Sequence, residues 1–314
     1  MENLIFSLNA TVPIFLMMVA GMLFRKMGIF TKEVTAKMNK FVFTIALPAL
    51  LFQDISSADF YDVWDSRYVL FCFVVTLGCI LFVCALSALL KDKSVQGEFV
   101  QAAYRSSAAI LGMAFVQNIY GNSGIAPLMI IGTVPLYNIM AVIVLSVMKP
   151  ERKPLDKQLL LTTCKDILTN PILLGIAAGL LWSLSGLHQP VILQKTVKNL
   201  AVLATPLGLM AMGASFDFKA AFASFRLAAV CCFFKLIGFA AVFLPVATWM
   251  GFRNEKLIAI LVMLGSATTV SSFVMAKNMG HEGTLSASAV MLSTLLSAFT
   301  LTGWLYLLKS FRLI

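Results

Sequence analysis

Between Gly265 and Ser272 the chain reads GSATTVSS, with five hydroxyl side chains in eight residues, in the middle of an apolar run from Leu257 to about Met279. Hydroxyls within so apolar a run are costly unless they face protein, a cavity or a ligand. They also offer backbone groups local partners, so such a segment opens its helical ladder cheaply. A second polar interruption stands in AYRSSAAILGMAFVQNIYG (103–121), where Arg105, Ser106 and Ser107 precede Gly112. Asn138 adds a buried amide that must find partners. The chemistry on offer is reversible hydrogen bonding and charge pairing with a polar guest. The candidate contact set is Ser107, Gly112, Asn138, Thr268, Thr269, Ser271 and Ser272; the competing reading is that small residues merely let helices pack closely.

Three charged residues could tune that site. Lys235, within FFKLIGF, has three candidate roles: neutralising a guest's charge, carrying a proton, or pinning opened backbone by bonding its free carbonyls. Arg105 divides between attracting an anion and snorkelling to the interface. Asp54 is read as the single carboxylate inside an apolar stretch, near its outer end. Pro48 and Pro206 are expected to break their helices symmetrically and to shape hinges. His188 and His281 are read as interfacial or loop residues. HExxH, Walker and nucleophile-elbow patterns are missing, and the cysteines lack metal spacing, so neither an enzyme nor a resident cofactor or metal is expected.

Composition fixes the setting for these residues. Of 314 residues, 60% are hydrophobic and 12% charged, about half the charged fraction of an ordinary soluble domain. The chain is read as an integral membrane protein whose solvent is the lipid bilayer. Its net charge of +10 therefore belongs beside membrane spans and not to nucleic acid. Ten apolar spans fit, at approximately 4–24, 39–57, 67–90, 98–120, 124–148, 168–186, 191–214, 226–249, 256–278 and 285–308. Placing the basic loops 25–40 and 149–166 in the cytoplasm gives fifteen Lys and Arg inside and seven outside, with both termini outside.

The spans repeat. TVPIFLMMVAGMLFRKMGIF (11–30) and TNPILLGIAAGLLWSLSGLH (169–188) match at eight of twenty positions, and the same offset pairs Pro48 with Pro206. Residues 1–150 and 151–314 each hold five spans, so the second copy enters the membrane from the opposite side. The fold class expected is all-α, two inverted five-helix repeats, with interrupted fourth and ninth spans that cross at the midplane. Exposed N-terminal ends of half-helices there attract an anion such as a carboxylate.

The stretches FVFTIALPALLF (41–52), YRSSAAILGMAFVQNIYG (104–121), VPLYNIMAVIVL (134–145), TNPILLGIAAGLLW (169–182), LATPLGLMAMGAS (203–215) and VMLSTLLSAFTL (290–301) together resemble the auxin efflux carrier family over essentially the full length. The resemblance implies a fold similar to bile-acid/sodium symporters, with spans 1, 2, 6 and 7 as scaffold and spans 3–5 and 8–10 as core. It also implies organic-anion substrates: plant members export indole acetate, and bacterial members are commonly called malate or malonate permeases. This chain departs from the family pattern at the crossing. Many members carry Asn at position 107 and Pro at 114, 267 and 272, where Ser107, Ala114, Ala267 and Ser272 stand here.

The functional expectation is a carrier of a small organic anion across a bacterial cytoplasmic membrane by alternating access, with the coupling ion open between a proton and none, and with a homodimer as one available assembly. A non-transporting receptor on the same fold and a cation-coupled exchanger are the alternatives. The missing mid-span acidic pair counts against the exchanger.

Overall fold

The computed structural model describes residues 2–56, 65–108, 116, 119, 120, 125–150, 165, 167–187 and 189–314. The protein is all-helical, about 82% helix, with no strand among the described residues. The helices are α1 (Glu2–Lys26), α2 (Lys32–Ser56), α3 (Ser66–Ser87), α4 (Gln96–Tyr104), α5 (Ala126–Val147), α6 (Pro171–Ser185), α7 (Val191–Ser215), α8 (Phe225–Trp249), α9 (Asn254–Gly265), α10 (Ser271–Asn278) and α11 (Thr284–Ser310). A short helix, Phe218–Ala223, links α7 to α8. Six of these, α2, α3, α5, α7, α8 and α11, are long and apolar enough to cross a membrane.

Their ends carry ordinary signals. The Asp65 carboxylate accepts from the Tyr68 N–H at 3.1 Å, and Asn170 accepts from Ile172 N–H at 3.0 Å ahead of Pro171. Both satisfy a donor that the first helical turn leaves free. Gly186 ends α6 in the left-handed conformation, φ 65°.

Pro48 and Pro206 each follow an irregular turn in their helix. Each ring removes one donor and crowds the carbonyl four residues earlier. Around Thr44, four residues before Pro48, α2 widens into a π turn, Val42–Ala46. In α7 the irregularity is confined to Leu203, one residue after the crowded Val202. The helix axis absorbs the defect in both places.

Helix α1 packs along α7 and α2 along α6, and glycine sets how closely. A Cβ on Gly21 would stand 2.1 Å from the Met210 carbonyl oxygen; one on Gly179 would stand 3.1 Å from that of Phe52. Backbones approach this closely only where a side chain is missing, the usual device of helix pairing in lipid. All nine residues of α4, Leu257–Gly265 of α9 and Ser271–Ala276 of α10 are buried. Large apolar side chains such as Leu81, Leu181 and Trp249 instead face outward, which in a chain this apolar marks a lipid-facing surface.

Candidate functional site

The centre of the molecule is where two helices stop short. α4 ends at Tyr104, and Arg105 turns extended, φ −77° and ψ 128°, with residues 105–107 non-helical. α9 ends at Gly265, Ser266 is extended, φ −82° and ψ 166°, and the chain stays irregular until α10 begins at Ser271. The two irregular stretches touch: Ser107 N–H donates to the Ala267 carbonyl at 3.0 Å. The Thr268 hydroxyl donates to Ala102 O at 2.8 Å, and the Gln101 amide to Ser272 O at 2.8 Å.

No proline is needed for these breaks, because the freed backbone groups find tertiary partners. Thr268 N–H meets the Ser293 hydroxyl at 3.0 Å. The Met263 carbonyl takes the Tyr137 hydroxyl at 3.1 Å and the Lys235 ammonium at 3.1 Å, and Leu264 O takes Lys235 at 2.7 Å. Each bond contributes about 1 kcal/mol net, whereas each such group left bare would cost about 1–3 kcal/mol.

Beside the contact between the breaks lies a cavity of about 70 Å³, lined by polar groups from both breaks and from α2, α5 and α7. Arg105 and Ser107 come from the first break, Thr269 and Ser271 from the second, Asn138 from α5 and Asp54 from α2. The Arg105 guanidinium is 3% exposed and bonds the Asn138 carboxamide oxygen and the Met275 sulfur. Asn138 in turn donates to Val134 O at 2.8 Å, so its oxygen is aimed at the guanidinium. α10 starts at the cavity wall with Val270 and Ser271, directing its positive end at that space.

The other candidates lie elsewhere. Thr268 and Ser272 are buried in the contact between the breaks and do not line the cavity. Lys235, wholly buried in a π turn of α8 (Phe234–Gly238), reaches the end of α9 from behind. Pro48 and Pro206 sit beside the lining residues Leu47 and Thr205. Gly112 and His188 fall outside the described residues.

His281 stands in the loop between α10 and α11, as one of the two sequence readings has it, yet it is 4% exposed, with Nε2 2.9 Å from Leu145 O. A second carboxylate, passed over in the sequence, is Glu98 in α4, which is 2% exposed. Its two oxygens accept from Gly283 N–H at 2.8 Å and Ser286 N–H at 2.9 Å, where α11 begins. The glycine-bearing HEGT turn was the available hint that a helix start there needed an acidic cap. Tyr137, beside Asn138, was also missed; its ring stacks obliquely near Tyr104, whose hydroxyl donates to Tyr137 O at 3.0 Å.

At the opposite ends of α2 and α10 a wide cleft of about 810 Å³ opens between Arg25, Lys32, Asn39, Lys219 and Lys277, with Asp217 as its one acidic wall residue. The polar cavity and this basic cleft thus lie toward opposite ends of α2 and α10. No curated protein matches the chain by sequence comparison. The family described as membrane transport protein does match, over residues 6–305. With several helices fit to span a bilayer and a match across nearly its whole length, this chain belongs to the auxin efflux carrier family of membrane transport proteins.

Proposed function

We propose that this transporter moves a small organic anion across the cytoplasmic membrane by alternating access. The observation that carries the reading is the gathering of Arg105, Ser107, Asn138, Thr269 and Ser271 on one cavity between two broken helices. The polarity of the helix ends points the same way. Negative C-terminal ends are already occupied from within, α4 by the Thr268 hydroxyl on Ala102 O and α9 by Lys235. The positive start of α10 faces the cavity together with a guanidinium. A carboxylate is the guest such a site recognises, and a space of this size favours a short aliphatic acid over an aromatic one.

Asp54 faces the same cavity. Its carboxylate opposes an anionic guest, and a proton on it would remove that opposition, so Asp54 is the group to carry a coupling proton. The inverted-repeat reading is supported by swapped contacts. Gly21 meets Met210 while Gly179 meets Phe52, and both members of each pair differ from their counterparts by the 158-residue sequence offset. Ten spans, a scaffold of the α1, α2, α6 and α7 region and a core around the breaks would then rock past each other, exposing the guest alternately to the basic cleft and to the opposite side. The basic cleft is the cytoplasmic mouth on this reading, with both termini outside.

A thermal-shift panel of mono-, di- and aromatic carboxylates, followed by counterflow in liposomes with the best stabiliser, tests the proposal. Stabilisation and exchange by short aliphatic acids are expected. Indifference to every carboxylate, with flux of inorganic cations alone, would overturn it.

A further inference from the structure

The Lys235 ammonium meets the end of a half-helix that stops in the protein interior, where α9 carries the partial negative charge of carbonyls without helical partners. It donates to two successive carbonyl oxygens, Leu264 at 2.7 Å and Met263 at 3.1 Å, and is 0% exposed. No carboxylate pairs with it among the described residues; the ion pairs there join Lys37 to Glu33 and Lys256 to Asp65. Among the described residues, backbone oxygens are the partners of its charge. In transporters with discontinuous helices, unwound carbonyls and half-helix C-terminal ends are the groups that coordinate sodium ions or protons. Here a covalently tethered ammonium stands in that place.

Its setting is built and not incidental. The π turn that carries Lys235 leaves the next carbonyl, Leu236 O, to the Trp304 indole N–H at 3.0 Å. The Tyr137 hydroxyl is a second donor to Met263 O, at 3.1 Å. The tethered ammonium thus reaches carbonyls that other side chains also hold in place.

We infer that Lys235 is a resident cation: it fills a monovalent-cation site at the end of α9, so the second break is held without an ion from solution. Removing the ammonium, and leaving the carbonyls, should turn that place into a site for a free monovalent cation. The consequence for transport, that flux requires neither sodium nor potassium, rests on the functional reading above; the site itself does not.

The test is the melting temperature of the purified protein in detergent at constant ionic strength, in chloride salts of sodium, potassium, ammonium, methylammonium and N-methylglucamine. Wild type should melt at one temperature in all five. Lys235→Ala should melt lower in N-methylglucamine and recover several degrees, saturably, in ammonium, methylammonium or sodium. Lys235→Met, which keeps the volume and drops the charge, should lose stability as well but recover less, its methyl group blocking the site. Three results would overturn the inference: a wild type stabilised by sodium over N-methylglucamine, a Lys235→Met protein as stable as wild type, or a destabilised Lys235→Ala indifferent to every cation. Should neither variant survive purification, the wild-type comparison decides. The readout needs no substrate, so a protein that moves no carboxylate would sink the transport reading and leave this result standing.

Discussion

The break at 105–107 and the break at 266–269 lie within one hydrogen bond of each other, yet their surroundings differ. The second is clamped from several elements: Lys235 of α8 and Tyr137 of α5 on Met263 O, Ser293 of α11 on Thr268 N–H, and Ser107 on Ala267 O. The first brings its own charge. Arg105 belongs to the broken segment itself, and its head points past the crossing to Asn138 and the cavity. Two buried cations thus do different work. One is bonded to backbone carbonyls at the end of α9; the other is bonded to a neutral amide and a sulfur at the cavity wall, where the proposed function gives it a guest's charge to meet.

The largest way to break this comparison is Arg105→Ala. A charge-assisted hydrogen bond contributes about 1.5–3 kcal/mol, which converts to roughly 10- to 150-fold in equilibrium terms. Counterflow in liposomes should fall on the order of 100-fold, with Arg105→Lys intermediate because a point charge lacks the guanidinium fork. Uptake near wild type in well-folded Arg105→Ala would remove the residue from the binding step.

Thr268→Val probes the clamped side. Valine keeps the shape, drops the hydroxyl on Ala102 O and leaves that carbonyl bare, a loss of about 1–3 kcal/mol. The melting temperature should drop by a few degrees, with apparent affinity for the best carboxylate changed less than twofold. A rise in KM without a stability loss would move Thr268 from the frame to the guest.

Ser271→Ala sharpens the contrast from the cavity side. Its hydroxyl lines the space and bonds only its neighbour Thr269, at 3.2 Å. A neutral hydrogen bond to a guest contributes about 0.5–1.5 kcal/mol, so KM should rise roughly two- to tenfold while the melting temperature stays put. Equal affinity in the variant would show that the guest sits elsewhere in the cavity.

Much of this was legible in the sequence because lipid removes alternatives. A hydroxyl run at 265–272 and an Arg-Ser-Ser at 105–107 had to be accommodated, and a broken backbone is one of few ways to do it. What stayed hidden was direction. Periodicity placed Thr268 beside Thr269, yet one hydroxyl serves a carbonyl across the crossing and the other faces the cavity. Nothing local distinguishes them, since an irregular backbone has no period to read. Proline was a partial guide. The breaks at 105–107 and 266–270 form without it, through tertiary donors, while at 48 and 206 it follows a π turn and a single irregular residue. Glu98 escaped because its two partners are backbone N–H groups more than 180 residues away.

The smallest effect concerns whether the clamp on the second break extends to the far end of α9. There Lys256 pairs with Asp65 at 2.5 Å, and its own carbonyl accepts the Tyr68 hydroxyl at 3.2 Å. The Lys256 hydrogen bond, followed by the Tyr68 N–H, holds the Asp65 carboxyl below its ordinary 3.8. A pKa lowered in the folded state adds stability above the unfolded value, and that stability is lost as pH falls through the folded one. Both groups are about a third exposed, and pairs of that kind are worth about 0.2–1 kcal/mol. Lys256→Ala should therefore melt only a degree or so below wild type at pH 7. The gap should hold down to about pH 5, narrow below 3.8, and close in more acid solution as Asp65 is protonated in both proteins. A gap that persisted unchanged in acid would mean that Lys256 steadies α9 without Asp65, through an interaction that does not titrate there, such as its ammonium 5.9 Å from the centre of the Tyr68 ring. The clamp at the far end of α9 would then not run through the ion pair.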